Sequence, residues 1–330
     1  MLGALFNIKS LTESNMSKPF IVVSDGMDSG VFSDLRNTDG LEVHPEKKVS
    51  QEELKTLLPK VEGLIIRSAT SPDKAFLDAA PNLKYIIRAG EGTDNIDKAY
   101  CQEKGIKVSN TPGANNNSAA EHALALMMTT LRHTANADKS MKNNEWNKAA
   151  FTGNELWNKT VGIIGFGRIG QLLCKRLQGF EPQVLFFDPG VSESPFPWAK
   201  KVDSVEEIFK TADVISLHTP LIDATRGMVN YDLMSKMKPS AILVNAARGK
   251  IVNEDDLYKI LSEKKIKGAG FDVFAEEPLG ESKLRELENI VLTPHLGGST
   301  EEAQFRVGEM AAHQMKEFFL NNKLLNEVGA

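Results

Sequence analysis

Residues 161–170 read VGIIGFGRIG: an apolar run, then three glycines spaced Gly165-x-Gly167-x-x-Gly170. A helical pattern, QLLCKRLQGF at 171–180, follows directly. In a strand–turn–helix of this kind the first glycine permits a tight turn, and the second lets backbone approach a diphosphate. The third lets the helix pack on the strand, while the helix N-terminus offers free N–H groups and the positive end of its dipole. The next apolar run, QVLFFD at 183–188, ends on Asp188, 18 positions past Gly170. A carboxylate there can bind the adenosine ribose hydroxyls and repel a 2′-phosphate. The stretch therefore reads as an NAD site, and the chain around it as an α/β fold.

At 330 residues the chain has room for about two domains. With 41% hydrophobic and 25% charged residues it can build sizeable cores. Net charge is −5, and the densest basic runs, Lys47-Lys48 and Lys264-Lys265-x-Lys267, are short. No nucleic-acid footprint is expected from so dispersed a charge. Two cysteines, Cys101 and Cys174, give neither a disulfide framework nor metal-ligand spacing, so no metal is expected. No apolar run approaches the ~18 residues of a membrane span. Residues 1–17 lack a basic leader and cleavage motif and read as an N-terminal extension, which makes the cytoplasm the expected location.

From Phe20, short apolar runs alternate with amphipathic ones: FIVVSD, LEVH, GLIIRSA, LKYIIRAG and GIKVSN punctuate helical patterns. That rhythm predicts a parallel, doubly wound sheet. Ser71 before Pro72 predicts a helix cap. A single long helix is expected from Ser118, SAAEHALALMMTTLRHTANADKSM. Six further strands follow, carried by VGIIGFG, QVLFFDP, DVISLHTP, SAILVNAARG, IKGAGFDVF and NIVLTPHLGG. The last helix, from Ser299 as cap with Glu302 three residues on, can return to the first sheet. The expectation is two Rossmann-like doubly wound parallel-sheet domains with an inter-domain cleft. Residues 18–115 and 299–330 form a discontinuous substrate domain, and 116–298 the NAD-binding domain.

Ligands of open α/β sheets bind beyond the carboxyl ends of the strands, where Arg248, Glu277 and His295 stand. Reducing a 2-oxo acid needs a cation for its carboxylate and a proton donor for its oxygen. Arginine supplies a permanent bidentate clamp, and histidine titrates near neutrality. A glutamate against the imidazole favours its charged form and fixes its tautomer. Arg248, His295 and Glu277 fill those three roles.

Taken together, IRSAT (66–70), RAGEGTDNID (88–97), NTPGANNNSAAEHALAL (110–126), LHTPL (217–221), LVNAARGKIVNEDDL (243–257), GFDVFAEEP (270–278) and PHLGGSTEEAQ (294–304) resemble the D-isomer-specific 2-hydroxyacid dehydrogenases. The likeness runs over nearly the whole chain from Phe20. It implies cofactor contacts at Gly165, Gly167, Arg168, Ile169, Gly170 and Asp188. Further ones are implied at Thr219, at Ala246, Ala247 and Arg248, at Asp272, and at His295, Gly297 and Gly298. Arg67, Arg88, Gly90 and Lys148 are implied as substrate contacts. The helix from Ser118 is implied to pack in a two-fold homodimer or dimer of dimers, with the loop through Trp146 reaching the partner.

The resemblance implies NAD-linked oxidation of D-3-phosphoglycerate to 3-phosphohydroxypyruvate. Two features point instead to a glyoxylate or hydroxypyruvate reductase, or to a general D-2-hydroxyacid dehydrogenase. Glu91 places a carboxylate near the expected anion site, and the loop EWNKAAF offers one cation, Lys148. An NAD-sensing, corepressor-like binding protein is the reading from another class, disfavoured by the intact Arg/Glu/His set. The chain ends at Ala330, so no C-terminal regulatory domain is expected.

Overall fold

A computed structural model describes residues 17–44 and 48–329. Most of the expected extension, and Lys47, lie outside the described residues. The chain divides into two compact units at Pro112/Gly113 and again at Gln304/Phe305.

In the first unit, β1 (Phe20–Val23), β2 (Glu42–His44), β3 (Gly63–Ile66), β4 (Tyr85–Arg88) and β5 (Lys107–Asn110) form a sheet ordered β2-β1-β3-β4-β5. Every pairing is parallel. Gly63–Ile66 is buried throughout, as expected of a strand covered on both faces. The helices α1 (Ser29–Arg36), α2 (Gln51–Leu57), α3 (Lys74–Asp78) and α4 (Lys98–Glu103) start on side-chain caps from Asp28, Ser50, Asp73 and Asp97. The cap expected at Ser71 is thus displaced to Asp73, whose Oδ1 accepts from the Phe76 amide at 2.8 Å. Ser71 contributes its carbonyl instead, accepting from the Asp73 amide at 2.9 Å.

The second unit opens with α5 (Asn116–Arg132) and α6 (Thr134–Lys142). One long helix was expected here, but His133 adopts φ +54° and breaks it in two. A left-handed residue cannot continue a right-handed helix. Next come β6 (Thr160–Ile164), α7 (Arg168–Leu177), β7 (Gln183–Phe187), β8 (Ala199–Lys201), α8 (Val205–Thr211) and β9 (Val214–Leu217). They are followed by α9 (Tyr231–Met234), β10 (Ile242–Asn245), α10 (Glu254–Ser262), β11 (Gly268–Phe271) and β12 (Ile290–Leu292), and the last helix, α11 (Glu301–Asn321), belongs to the first unit from Phe305 on. The parallel sheet runs β12-β11-β10-β9-β6-β7-β8. The edge strand β8 is additional to the six expected; at three residues, two of them exposed lysines, it has no apolar alternation to betray it. The expected cap at Ser299 moves one residue on, since Oγ1 of Thr300 accepts from the Ala303 amide at 3.1 Å.

Strand order reverses between β6 and β9, so the carboxyl ends of these two strands flank the switch point where doubly wound sheets take their ligands. No helix among the described residues is long and apolar enough to cross a membrane.

Candidate active site

Gly165 follows β6 at φ +90°, and a Cβ there would come 2.5 Å from the carbonyl oxygen of His218, the residue after β9. At Gly170 a Cβ would lie 2.3 Å from the Gly165 oxygen, so helix and turn close only without side chains. Gly167, by contrast, faces open space, with nothing within 4 Å of its Cβ position. α7 starts at the next residue without a side-chain cap, which leaves its first amides for an anion. Asp188, just past β7, accepts from the Phe166 amide at 2.7 Å and the Gly190 amide at 2.8 Å. Beyond β9, the buried Thr219 Oγ1 finds no hydrogen-bond partner among the described residues. Open space at Gly167, an uncapped helix, an orphaned hydroxyl and a fixed carboxylate fit NAD.

Arg248 follows β10 through Ala246 and Ala247. Asn245 holds this loop at both ends, accepting from the Ala247 amide at 3.1 Å and donating to the Arg248 carbonyl at 3.0 Å. The next residue, Gly249, lies so close to the chain after β11 that a Cβ would sit 1.9 Å from the Phe274 carbonyl carbon. That contact sets the Arg248 loop against the segment carrying Glu277. Glu254, in the first turn of α10, accepts from the Ala275 amide at 2.5 Å and pins the same segment. Glu277 accepts from the Phe274 amide at 3.0 Å with Oε1, and its Oε2 lies 2.5 Å from His295 Nδ1. Partial burial pushes the Glu277 carboxyl up, but the bonds from His295 and Phe274 outweigh it and hold it below its ordinary value. Nδ1 of the half-exposed His295 is engaged by Glu277, and Nε2 is the other ring nitrogen.

His295 adopts φ +54°, a backbone state costing roughly 1–2 kcal/mol away from glycine. Asp272 holds it there. Its carbonyl takes the His295 amide at 2.8 Å, Oδ1 takes the Leu296 amide at 2.7 Å, and Oδ2 takes the Gly297 amide at 2.8 Å. Asp272 is wholly buried. Burial alone would raise its pKa, yet bonds from His122, Thr293 and Leu296 leave it lowered. Gly298 closes the turn on the residue just before α5, where a Cβ would meet Asn115 Nδ2 at 2.8 Å.

In the first unit, Arg67 follows β3 and Arg88 ends the adjoining β4. Asp25 clamps the Arg67 loop, accepting from the Arg67 amide at 2.6 Å and the Thr70 amide at 3.1 Å. Burial lowers the Arg67 pKa while Asp25 pulls it the other way. Arg88 lies across Gly90, whose Cβ would fall 1.3 Å from Nη1. Gly90 is thus glycine because the guanidinium occupies its side-chain space. Glu91 accepts from Asn110 Nδ2 through its carbonyl at 2.6 Å. Lys148 stands on an exposed 3₁₀ turn of the second unit (Lys148–Phe151), near the strongly exposed Trp146.

The second unit thus gathers Arg248, Glu277, His295 and the residues of the glycine turn at the carboxyl edge of one sheet. Sequence reasoning passed over the side chains that hold them: Asn245, Glu254, His122 and Thr293. Each is an ordinary strand-end or helix residue, and the partners of Glu254, His122 and Thr293 lie more than twenty positions off in the chain.

A parallel sheet with this turn and a paired imidazole and carboxylate defines a nicotinamide-linked oxidoreductase. Residues 124–297 match the family described as D-isomer specific 2-hydroxyacid dehydrogenase, NAD binding domain. Hydroxypyruvate reductase of Thermotoga maritima is 44% identical over 89% of this chain and 96% of that protein. D-3-phosphoglycerate dehydrogenase of Mycobacterium tuberculosis is 39% identical over 91% of this chain, which spans 57% of that protein's length. NAD-dependent formate dehydrogenase of Staphylococcus aureus, solved with NAD, superposes with a TM-score of 0.84 at 30% identity, over 94% of this chain and 99% of that one. The chain belongs to the D-isomer-specific 2-hydroxyacid dehydrogenase family and is an NAD-dependent enzyme of that class.

Proposed function

We propose that the chain oxidises D-3-phosphoglycerate to 3-phosphohydroxypyruvate, on the phosphorylated route to L-serine. The observation that carries this is the pair of arginines, Arg67 and Arg88, at adjoining strand ends of the first unit. Two cations there suit a substrate with an anion beyond its carboxylate, which a phosphate ester supplies. Arg248 takes the carboxylate. His295 Nε2 removes the proton from the C2 hydroxyl, and Glu277 stabilises the imidazolium that forms. NAD, when bound, accepts the hydride from C2. Asp188 favours NAD over its 2′-phosphorylated form. The enzyme is proposed to work in the cytoplasm as a homodimer or dimer of dimers, with Trp146 and Lys148 toward the partner.

A second reading, reduction of hydroxypyruvate or glyoxylate, is favoured by Glu91 and by the near full-length likeness to a hydroxypyruvate reductase. Initial rates with NADH on 3-phosphohydroxypyruvate, hydroxypyruvate and glyoxylate separate the two. The first reading expects a strong preference for the phosphorylated acid, lost in Arg88→Ala. Preference for either small acid, unaffected by Arg88→Ala, establishes the second.

A further inference from the structure

His122 lies on α5, on the side that meets β11. Two glycines bring helix and strand close: at Gly270 a Cβ would come 2.9 Å from Thr130 Oγ1 and 3.2 Å from Leu126 Cβ, and at Gly268 3.4 Å from Thr130 Cγ2. From α5, His122 Nε2 reaches Asp272 Oδ1 at 3.1 Å and Thr293 Oγ1 at 3.1 Å. The Thr293 hydroxyl already donates to Asp272 Oδ1 at 2.6 Å. The Thr293 hydrogen is spent on Asp272 and an ionised carboxylate can only accept, so Nε2 carries the hydrogen and shares it between Thr293 Oγ1 and Asp272 Oδ1.

The Asp272 carboxylate therefore takes four donors: His122, Thr293 and the Leu296 and Gly297 amides. Of these only His122 can carry a compensating charge, and a buried carboxylate needs its donors complete. The same carboxylate holds the left-handed turn at His295. Removing His122 would take from Oδ1 the one donor that comes from α5, leaving Thr293 and the Leu296 amide, and so loosen the hold on the amides that Asp272 anchors.

We propose that His122 is a positioning residue: donating Nε2–H to Asp272, it fixes the turn that presents His295 to substrate. This rests on His295 being the acid–base group, as proposed above. The contact is a chain of hydrogen bonds within the second unit, from α5 through Asp272 to residues 295–297.

The test compares His122→Leu and His122→Gln in the full-length enzyme, with His295→Ala as control. Glutamine places an amide N–H close to the Nε2 position; leucine fills the space without a donor. Turnover is measured with NADH on the best of the three 2-oxo acids, and amide hydrogen exchange on the peptide covering 293–298. His122→Leu is expected to lose about tenfold to a hundredfold in kcat, the scale of a small misplacement of a reacting group. Its Leu296 and Gly297 amides should exchange faster, and His122→Gln should recover most of both. If His122→Leu does not fold, His122→Asn, an amide one methylene too short, replaces it. Wild-type turnover and protection in the leucine variant would overturn the proposal. So would equal damage in the glutamine and leucine variants at unchanged Tm, because shape rather than the donor would then matter. His295→Ala retaining its rate would instead refute the acid–base reading, leaving exchange to decide the role of His122.

Discussion

The backbone amide of Phe166, inside the glycine turn, donates to the carboxylate of Asp188 at 2.7 Å. The residue proposed to discriminate against a 2′-phosphate therefore also holds the turn proposed to receive the diphosphate. Asp188→Ala should raise the NADH KM by roughly tenfold or more, the scale of losing a charged hydrogen-bond acceptor. It should also shift the NADH/NADPH ratio of kcat/KM toward NADPH. Steady-state kinetics with both nucleotides check this, and an unchanged ratio would place specificity elsewhere.

His295→Ala is expected to lower kcat by about 10²–10⁴-fold, the usual share of a general acid–base group. NADH binding, followed by fluorescence titration, should survive largely intact. Glu277→Gln keeps the size of the side chain but not its charge, so its loss in kcat should be smaller. A His295→Ala enzyme with most of its rate would refute the assignment.

Gly90→Ala tests the first unit without removing a charge. The new methyl group collides with the Arg88 guanidinium, and Gly90 itself sits at φ +150°. The variant should reproduce the KM defect of Arg88→Ala on the phosphorylated acid while leaving the NADH KM unchanged. Separate behaviour of the two variants would show that the position of Arg88 is not what binds substrate.

Asp272 and Glu277 both have folded-state pKa values below their ordinary ones. Their contribution to stability is therefore complete above the ordinary carboxylate range near pH 4, and it is lost as pH falls through the depressed values. Denaturant midpoints at pH 7 should separate wild type from Asp272→Asn, and the gap should narrow steadily toward pH 3. A gap that stays constant with pH would mean the bonds to Asp272 do not depend on its charge.

Much of this was legible in local sequence. The glycine spacing, the acid ending β7 and the polar residues at the ends of β10 and β12 are short-range signals, and each lies where the turn chemistry puts it. What escaped depends on three-dimensional partners. His133 reads as one more helical residue, and only its left-handed backbone ends α5. β8 is too short and too charged to show a period. Asp272 is recognisable as a strand-end acid, but the three successive amides it binds lie more than twenty residues on. His122 sits in a run of helix formers where nothing local distinguishes it from packing.

The first unit is finished by residues from the far end of the chain. Tyr85 stacks on Phe318 at 4.3 Å, Gln314 Nε2 donates to the Asn110 carbonyl at 3.0 Å, and the Val328 amide pairs with the Val108 carbonyl at 2.8 Å. The second unit is one unbroken stretch, 113–304. On the ribosome, then, the order of emergence and the order of completion are opposite. The half synthesised first must wait with an open flank for its closing helix, while the nucleotide-binding half can already be whole.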